Sequence, residues 1–584
     1  MMSSSTALPG IAVAALMLFA LAGCGSSSAP GLAGTSGRQF YVSAQAPGGG
    51  DGSLAAPFNT LAAVQQAAGP GDTIIVLPSP LAIAPLDGGI ALQSAQKLLG
   101  EPAPTSATTP AAPRITNSSG ARNAGDAVEL SAGAEVANLV ITSPYRVGIY
   151  GLDTPGVNIH DNDVSGQNTS CTQGLVIPGD TLPSVVPGFT IPFPVKLPNG
   201  WAGIMIDADQ GAGSIAIRDN KVHDAVCGDG IDVRLFNAAV YQADIDGNTI
   251  YNLQEPADSQ SAIISVLAIG MQTNNRSTLT ATIDNNTEHD IGSPILSPEG
   301  SDSEGVFPNV VDASTITASI DNNDFHNGIG GFSANGLEIP VMGDGGTAIV
   351  QVSNSRFTQV PGDIIELFAL GTNGNLQLSL DNVTASYSTG GSLLESTVGP
   401  LGGANDGDCL VAASVNSGNS LRVSLNNSTL THCYHNGVTF ISNNSLVNAA
   451  PTQLIDFDIE SSQITASQGY GLSLLNLSPL TLLTGKVQNT NFSGNQNINV
   501  GLDNAGAQAA TLSLDFGGGP LGSTGGNCII DGAKGGVTAS NVKAFFQNNW
   551  WGSPDGPSPG TVKAQRNGSL NDTPALSAPP AACP

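Results

Sequence analysis

The sequence predicts an all-β solenoid, a chain wound into stacked coils, and three observations carry that prediction. First, a short phrase recurs: an apolar residue, two mostly polar ones, often an Asn, any residue, then usually an apolar one. It reads Ile217-Arg-Asp-Asn220-Lys-Val222, Ile245-Asp-Gly-Asn248-Thr-Ile250, Ile283-Asp-Asn-Asn286 and Ile320-Asp-Asn-Asn323-Asp-Phe325. An earlier copy is Ile159-His-Asp-Asn162-Asp-Val164, and degenerate copies follow at Val352–Phe357, Leu425–Leu430 and Ile459–Ile464. Second, the copies stand at irregular intervals of roughly 28–45 residues, each holding short β-rich runs, as in stacked repeats. Third, only 11% of the 584 residues are charged while 73 are Gly, a turn-rich β composition and not that of a disordered polyanion. Length alone would allow several domains, but a solenoid lengthens by adding coils.

The elements follow in order. Ile11 to Ala22 is an apolar run of signal-peptide length, too short for an ordinary membrane-spanning helix. It ends in Leu21-Ala22-Gly23-Cys24, followed by Gly25-Ser-Ser-Ser. This resembles the lipobox of bacterial lipoproteins, which implies cleavage before Cys24, lipid on its thiol and an outer-membrane address. Met1–Gly10 departs from that pattern in carrying no Lys or Arg. Residues 25–38, rich in Gly, Ser and Ala, read as a flexible tether. Gln39-Phe-Tyr-Val42 is a short strand, and a Gly-rich turn follows it. Asn59 or Thr60 then caps a small helix through Ala68, with Leu61 and Val64 on one face. Gly69-Pro70-Gly71-Asp72 stops the helix, and Thr73-Ile-Ile-Val76 reads as the first buried strand.

That order resembles the opening segment of secreted right-handed parallel β-helix proteins, the pectin-lyase-like group. The resemblance covers residues 39–557 and implies a β-helix whose short helix plugs the open end of the coil. An uncapped end would expose apolar core and unpaired strand edges. Residues 178–200 hold six prolines and read as a loop inserted off the stack, and a second, Gly-rich insertion spans 396–408. Asn548-Asn-Trp550-Trp551-Gly-Ser-Pro554-Asp555-Gly-Pro557 resembles a motif near the ends of bacterial β-helix surface proteins, with the tryptophans covering the last coil. Residues 558–584 read as a Pro/Ala-rich tail.

Alternation explains the repeat: in a strand, apolar residues two apart fill one face. The polar column of the phrase runs Asn162, Asn220, Asn248, Asn286, Asn323, Ser355, Val383, Ser428, Ser462, Thr490. Asn suits a sharp bend because it tolerates left-handed backbone, and its amide reaches neighbouring coils. The drift from Asn to smaller residues predicts a different bend in the C-terminal half. These residues read as scaffold and not as a site.

Charge excludes some partners. Seventeen basic against 46 acidic residues leave a net charge of −29, which repels nucleic acid, anionic lipid surfaces and polyanionic glycans. Beyond Cys24 the cysteines are Cys171, Cys227, Cys409, Cys433, Cys528 and Cys583. An even number in an exported chain suggests disulfides. Sequence neighbours are the simplest pairs, and Cys409 and Cys433 lie about one coil apart. No CxxC spacing points to zinc.

The candidate chemistry lies on a strand that recurs after the polar column. Gly230-Ile-Asp232-Val, Gly336-Leu-Glu338-Ile, Ile364-Ile-Glu366-Leu and Leu393-Leu-Glu395-Ser align, continued by Thr439, Ser473 and Asn499. Their flanking residues point inward, so Asp232, Glu338, Glu366 and Glu395 point outward, with the three Glu on successive rungs about 4.8 Å apart. Stacked carboxylates raise one another's pKa or recruit a cation, and a spacing near 5–5.5 Å is that of retaining glycosidases. The competing reading is a solvated acidic face or a calcium ladder, and it is favoured. Cys227-Gly-Asp229-Gly-Ile-Asp232-Val resembles a polygalacturonase phrase, but the companion motifs of that family are absent, so its mechanism is not carried over. Arg234, two residues beyond Asp232, is the best candidate for the base of a lyase. His160, His223, His289 and His326 recur as turn residues, and His432 with His435 makes a weak metal candidate.

The sequence therefore favours a monomeric, lipid-anchored protein of the outer membrane that binds glycans or surface partners without catalysis. It needs no cofactor; Ca2+ is the ion that its acidic column would suit. The alternative is a polysaccharide hydrolase or lyase acting in an acidic groove around Asp232, Glu338 and Glu366.

Overall fold

A computed structural model describes residues 37–103, 110–170, 201–254, 265–292, 302–329, 333–389, 407–415, 417–443, 452–505, 512–530 and 532–583, together with the strands Leu175–Val176 and Lys196–Leu197. Each coil winds through three strands, and like strands stack in parallel register. A complete coil runs Ala212–Arg218, Lys221–Ala225, Ile231–Leu235, and the next begins at Val240. The first strands of the coils build a long-stranded sheet of 17, the second a short-stranded sheet of 11 and the third a sheet of 15. This is a right-handed parallel β-helix, the hand that parallel crossovers take.

The register holds the apolar rows together. Ile217 lies opposite Ile245, Ile245 opposite Ile283, and Ile283 opposite Ile320. Their side chains are fully buried in one core cluster that runs the length of the coil stack. The long sheet alternates core and solvent, as in Thr278–Asp284, where Leu279, Ala281 and Ile283 are buried and Thr280 and Thr282 exposed. The third sheet is mixed: all five residues of Ile204–Ala208, Ile231–Leu235, Leu410–Ser414 and Val438–Ser442 are buried, while Ile365–Ala369 and Leu472–Asn476 alternate.

The polar column is a hydrogen-bond ladder inside the bend between the long and short sheets. Asn162 Nδ2 donates to Asn220 Oδ1 (2.9 Å), Asn220 Nδ2 to Asn248 Oδ1 (3.1 Å), Asn248 Nδ2 to Asn286 Oδ1 (3.0 Å) and Asn286 Nδ2 to Asn323 Oδ1 (2.9 Å). Each Oδ1 also accepts the backbone N–H of the preceding Asn, at 2.9–3.1 Å. The ladder continues through Ser355, Ser428 and Ser462 hydroxyls, then through Asn527 and Asn549.

Two expectations about this column are corrected. The left-handed residue is not the ladder Asn but the one before it: Asp161, Asp219, Gly247, Asn285 and Asn322 all have positive φ. The bend also does not change in the C-terminal half. Asn354, Asn382, Asn427, Ser461 and Asn489 keep the same conformation, with φ of 48–57°, while the ladder residue shrinks to a hydroxyl. A serine Oγ reaches the same backbone N–H, so the geometry survives and the cross-coil amide donor is lost.

Both ends are closed. Thr60 Oγ1 accepts from Ala63 N–H at 3.2 Å to cap the helix Leu61–Ala67, whose Leu61 and Val64 are fully buried on the first coils. Trp551 is buried against Phe546 in the last coils. The tail boundary at 558 is corrected: Val562–Gln565 pairs onto the third sheet and Ser569–Asn571 onto the long sheet. Cys528–Cys583 then pins the following segment to the coil, with Cα atoms 5.2 Å apart. Cys409–Cys433 joins neighbouring rungs, Cα to Cα 5.4 Å. Cys227 is buried; Cys24 and Cys171 lie outside the described residues.

Candidate functional site

The outer face of the third sheet holds the sequence-predicted residues. Asp232 pairs in register with Met205 on one side and Gly270 on the other, and Gly270 with Phe307. Val306 opposite Leu337 brings Phe307 beside Glu338, and Glu338 lies opposite Glu366. Asp232, Glu338 and Glu366 therefore share one outward column. Asp232 stands three rungs from Glu338, about 14 Å away at the usual strand spacing, so the three carboxylates do not meet in one groove. The third rung of the expected Glu ladder is also corrected. Glu366 lies opposite Val411, not Glu395, which falls outside the described residues. The column continues through Thr439 and Ser473, but then reaches Gly501, two residues beyond the expected Asn499.

Glu338 and Glu366 form a pair. Asn335 Nδ2 lies 3.1 Å from Glu338 Oε2 and 3.0 Å from Glu366 Oε2, donating toward both. One amide nitrogen so placed keeps the two oxygens within about 6 Å of each other, near the spacing of retaining glycosidases. Glu338 is 6% exposed and Glu366 is half-buried.

Asp232 sits in a second cluster. Its carboxylate lies over Gly270, where a Cβ would come within 2.3 Å of Asp232 Oδ1, so the missing side chain there makes its space. Asp232 Oδ1 is buried, and the carboxyl is drawn on by Asp229 and the Gly270 backbone. Burial pushes its pKa up to about 7, because desolvation with the Asp207 charge outweighs the pull of Arg234 and the hydrogen bonds of Asp229 and the Gly270 backbone. Arg234 does lie on the same outward face, as expected, but it is not a poised base. Its Nε and Nη2 donate to the two oxygens of Asp207 at 2.7 and 2.8 Å, and that pairing holds its pKa above the ordinary value despite burial. Tyr150 Oη donates to the same Asp207 at 3.1 Å, and its own pKa is raised by burial and by that charge. Arg146, stacked over Tyr150 and Trp201 at 4.9 and 4.3 Å, is likewise locked to Asp126.

Several residues of this face are absent from the sequence reading. Gln272 and Asn309 continue the column of Asp207 and Arg234 on successive rungs. They are 5% and 2% exposed, yet Gln272 Nε2 and Asn309 Oδ1 have no partner. The signal was available: Ile204-Met-Ile-Asp207, Ile269-Gly-Met-Gln272 and Val306-Phe-Pro-Asn309 share the alternation of Ile231-Asp-Val-Arg234.

Other acidic and histidine residues have structural duties. Asp229 Oδ1 accepts Leu267 N–H at 2.9 Å. Asp126, Asp363 and Asp408 likewise accept backbone N–H groups of the following coil at 2.6–3.1 Å. They form an acidic counterpart of the Asn ladder, at the bend into the third sheet. The histidines expected at turns lie largely in strands. His223, Tyr251, His289 and His326 stack on the outer face of the short sheet, with ring centroids 4.8, 5.0 and 5.2 Å apart. Nearly parallel rings stacked on one another present edges outward, so they offer no flat platform to a ligand. His435 Nδ1 faces Asp408 at 2.8 Å, and His432 stacks on Tyr387. Among the described residues, no group of three or more His, Cys, Asp or Glu is placed to hold a metal ion.

No protein family matches the chain, and no curated protein matches its sequence. Solved structures similar to it include a DFA-IIIase from Arthrobacter chlorophenolicus A6 (13% identity, 72% of this chain and 94% of that one, TM-score 0.32). Others are a lacto-N-biosidase from Eubacterium ramulus (10%, 72% and 68%, TM-score 0.29) and a pectate lyase (12%, 82% and 78%, TM-score 0.23). At these values the likeness carries no argument about activity.

Proposed function

We propose that the protein is a non-catalytic glycan-binding protein of the cell envelope, with the outer face of the third sheet as its binding surface. One observation carries this reading. A strip of polar side chains on that face (Asp207, Asp232, Arg234, Gln272, Asn309, Asn335 and Glu338) is nearly buried, and Gln272 Nε2 and Asn309 Oδ1 within it have no hydrogen-bond partner. Buried polar groups are ordinarily satisfied. The acceptor Asn309 Oδ1 and the donor Gln272 Nε2 stand unmatched. Sugar hydroxyls supply both complements.

A second reading has its own support. The shared Asn335 donor holds a Glu338 and a Glu366 oxygen no more than about 6 Å apart, a bound that admits the carboxyl spacing of retaining glycoside hydrolysis, in which one carboxyl protonates the leaving group and the other attacks. One polysaccharide panel separates the two. Binding without release of reducing ends is the expected result, and Glu366→Gln should weaken it by less than about tenfold, the loss of one hydrogen bond. Turnover that disappears in both Glu338→Gln and Glu366→Gln would replace binding with hydrolysis.

Anchoring at the outer membrane belongs to the same proposal and rests on the Leu21-Ala-Gly-Cys24 phrase. Cys24→Ala should move the protein from the membrane fraction to the soluble fraction of the envelope. A variant that still sediments with membranes contradicts it.

A further inference from the structure

The net charge is unevenly spread along the solenoid. Through residue 125, Arg38, Lys97, Arg114 and Arg122 balance Asp51, Asp72, Asp87 and Glu101, so the whole net charge of −29 lies beyond that point. Gln39–Val42, Thr73–Val76 and Lys97–Gly100 are neighbouring strands of the long sheet, so the acidic excess begins in the third coil, about 10 Å from the end of the stack. That is roughly one Debye length at physiological salt. The neutral end also exposes apolar side chains: Leu54 is 60% exposed, Leu81 55% and Ile83 40%. Leu54 belongs to the outermost layer, because its loop covers the free edge of the first strand. There Gly52 O accepts Tyr41 N–H at 2.8 Å, and Phe58 N–H donates to Tyr41 O at 2.9 Å. Leu81 and Ile83 lie in the turn after Ser79–Pro80, one coil further in. The other exposed large apolar side chains among the described residues are spread over the many coils beyond, as on any surface.

These features sit where the chain enters the fold. Cys24 stands 13 residues before Gly37, the first described residue. A Gly/Ser-rich tether of that length has a root-mean-square span of about 20 Å and reaches at most about 45 Å. The 17 strands of the long sheet stack over about 77 Å. An anchor at Cys24, the reading on which this inference rests, therefore holds the N-terminal end near the lipid and leaves the far coils free to lean. An acidic flank laid on an anionic lipid surface is repelled. A neutral end with exposed apolar side chains is not, and it gains from burying them in the interface. We propose that the solenoid stands end-on, with Leu54, Leu81 and Ile83 seated in the headgroup layer of the membrane and the third-sheet face turned sideways, clear of the lipid.

Fluorescence quenching tests this in the acylated protein, reconstituted into phosphatidylethanolamine–phosphatidylglycerol vesicles that carry bromine on their acyl chains. Leu54→Trp, Leu81→Trp and Leu482→Trp are each read against the parent, whose own tryptophans set the background, and flotation of the vesicles reports anchoring separately. An interfacial side chain lies about 5–10 Å deep, so Leu54→Trp and Leu81→Trp should each lose about half of their added emission. Leu482→Trp, exposed on the long sheet many coils away, should lose none. Protein that floats while the first two stay unquenched keeps the anchor and overturns the end-on contact. Emission shielded from aqueous iodide but not quenched by bromine marks a second copy on this end, and overturns it as well. Equal quenching of Leu482→Trp means that the solenoid lies flat, which also defeats it. Protein that does not float removes the anchor and this inference together, whereas glycan binding is untouched by any of these results.

Discussion

Replacing Glu288 with Leu is expected to stabilise the protein, by about 3 kcal/mol at neutral pH and by more in alkali. Glu288 occupies an inward position of the short sheet, in the row Val222, Ile250, Glu288, Phe325, Phe357. It is fully buried, and neither carboxyl oxygen has a hydrogen-bond partner. Desolvation, with a smaller push from Asp324, raises its pKa to about 8. The sign follows from linkage. The unfolded chain releases this proton near the ordinary glutamate value, about 4.3, while the folded chain keeps it to about pH 8. Between those values the folded state binds more protons, so stability falls by roughly 1.4 kcal/mol per pH unit as pH rises. The contribution is intact below the lower value and lost above the upper. Asp232, raised to about 7, acts in the same direction. A stacked array opens locally, so the measurement is amide exchange across Thr287–Ile291 at pH 5, 7 and 9. Exchange should quicken with pH in the parent beyond the chemical rate and stay nearly level in Glu288→Leu. A variant less protected than the parent at pH 9 would defeat the argument.

Asn248→Ala should cost about 4 kcal/mol, among the largest single losses available in the stack. Asn248 Oδ1 accepts both Asn220 N–H (2.9 Å) and Asn220 Nδ2 (3.1 Å). Its own Nδ2 donates to Ile217 O and Asn286 Oδ1, each at 3.0 Å. Alanine leaves the buried Asn220 N–H unmatched, a loss of about 1–3 kcal/mol, and takes one bond each from Ile217 O, Asn286 Oδ1 and the Asn220 amide, which keeps Ile159 O and Arg218 O. Asn248→Ser should lose roughly half as much, because Ser355, Ser428 and Ser462 already bond the neighbouring coil's N–H through Oγ. Thr282→Ala, on the exposed face of the long sheet, should change stability by less than about 0.5 kcal/mol. Thermal unfolding followed by far-ultraviolet circular dichroism ranks the three. Equal midpoints for Asn248→Ala and Thr282→Ala would show that the ladder adds nothing.

Glu288 also shows where the sequence was readable and went unread. The phrase Ile283-Asp-Asn-Asn286-Thr-Glu288 breaks its own pattern at the final apolar position, and that break is the buried carboxyl. The ladder was legible as a column of Asn and Ser, because a residue type recurring at a bend leaves its mark in the chain. Which residue takes the left-handed conformation was not, since Asp161, Asp219 and Asn285 stand directly beside ladder positions and only backbone angles separate them. The outward column was legible for Asp232, Glu338 and Glu366, where a Gly or Ile leads a short apolar strand. It failed at Glu395 and Asn499, because insertions of unequal length hide the rung register.

What the sequence determined by itself is the solenoid. Period, alternation, turn chemistry and the end caps are local properties, and each coil repeats them. Only the tertiary structure decided the site. A carboxylate's partners belong to other coils: Arg234 is held by Asp207 from 27 residues earlier, and Glu338 meets Glu366 through an amide on its own strand. Whether an outward residue faces water or a covered surface is likewise invisible along the chain. Thr278–Asp284 of the long sheet and Ile231–Leu235 of the third sheet alternate alike in sequence, yet the first turns its polar residues to solvent and the second buries them. Burial of that polar face, not the presence of acidic residues, is what sets Asp232 and Glu338 apart from the many carboxylates around them, because a carboxylate shielded from water gains most from a matching donor.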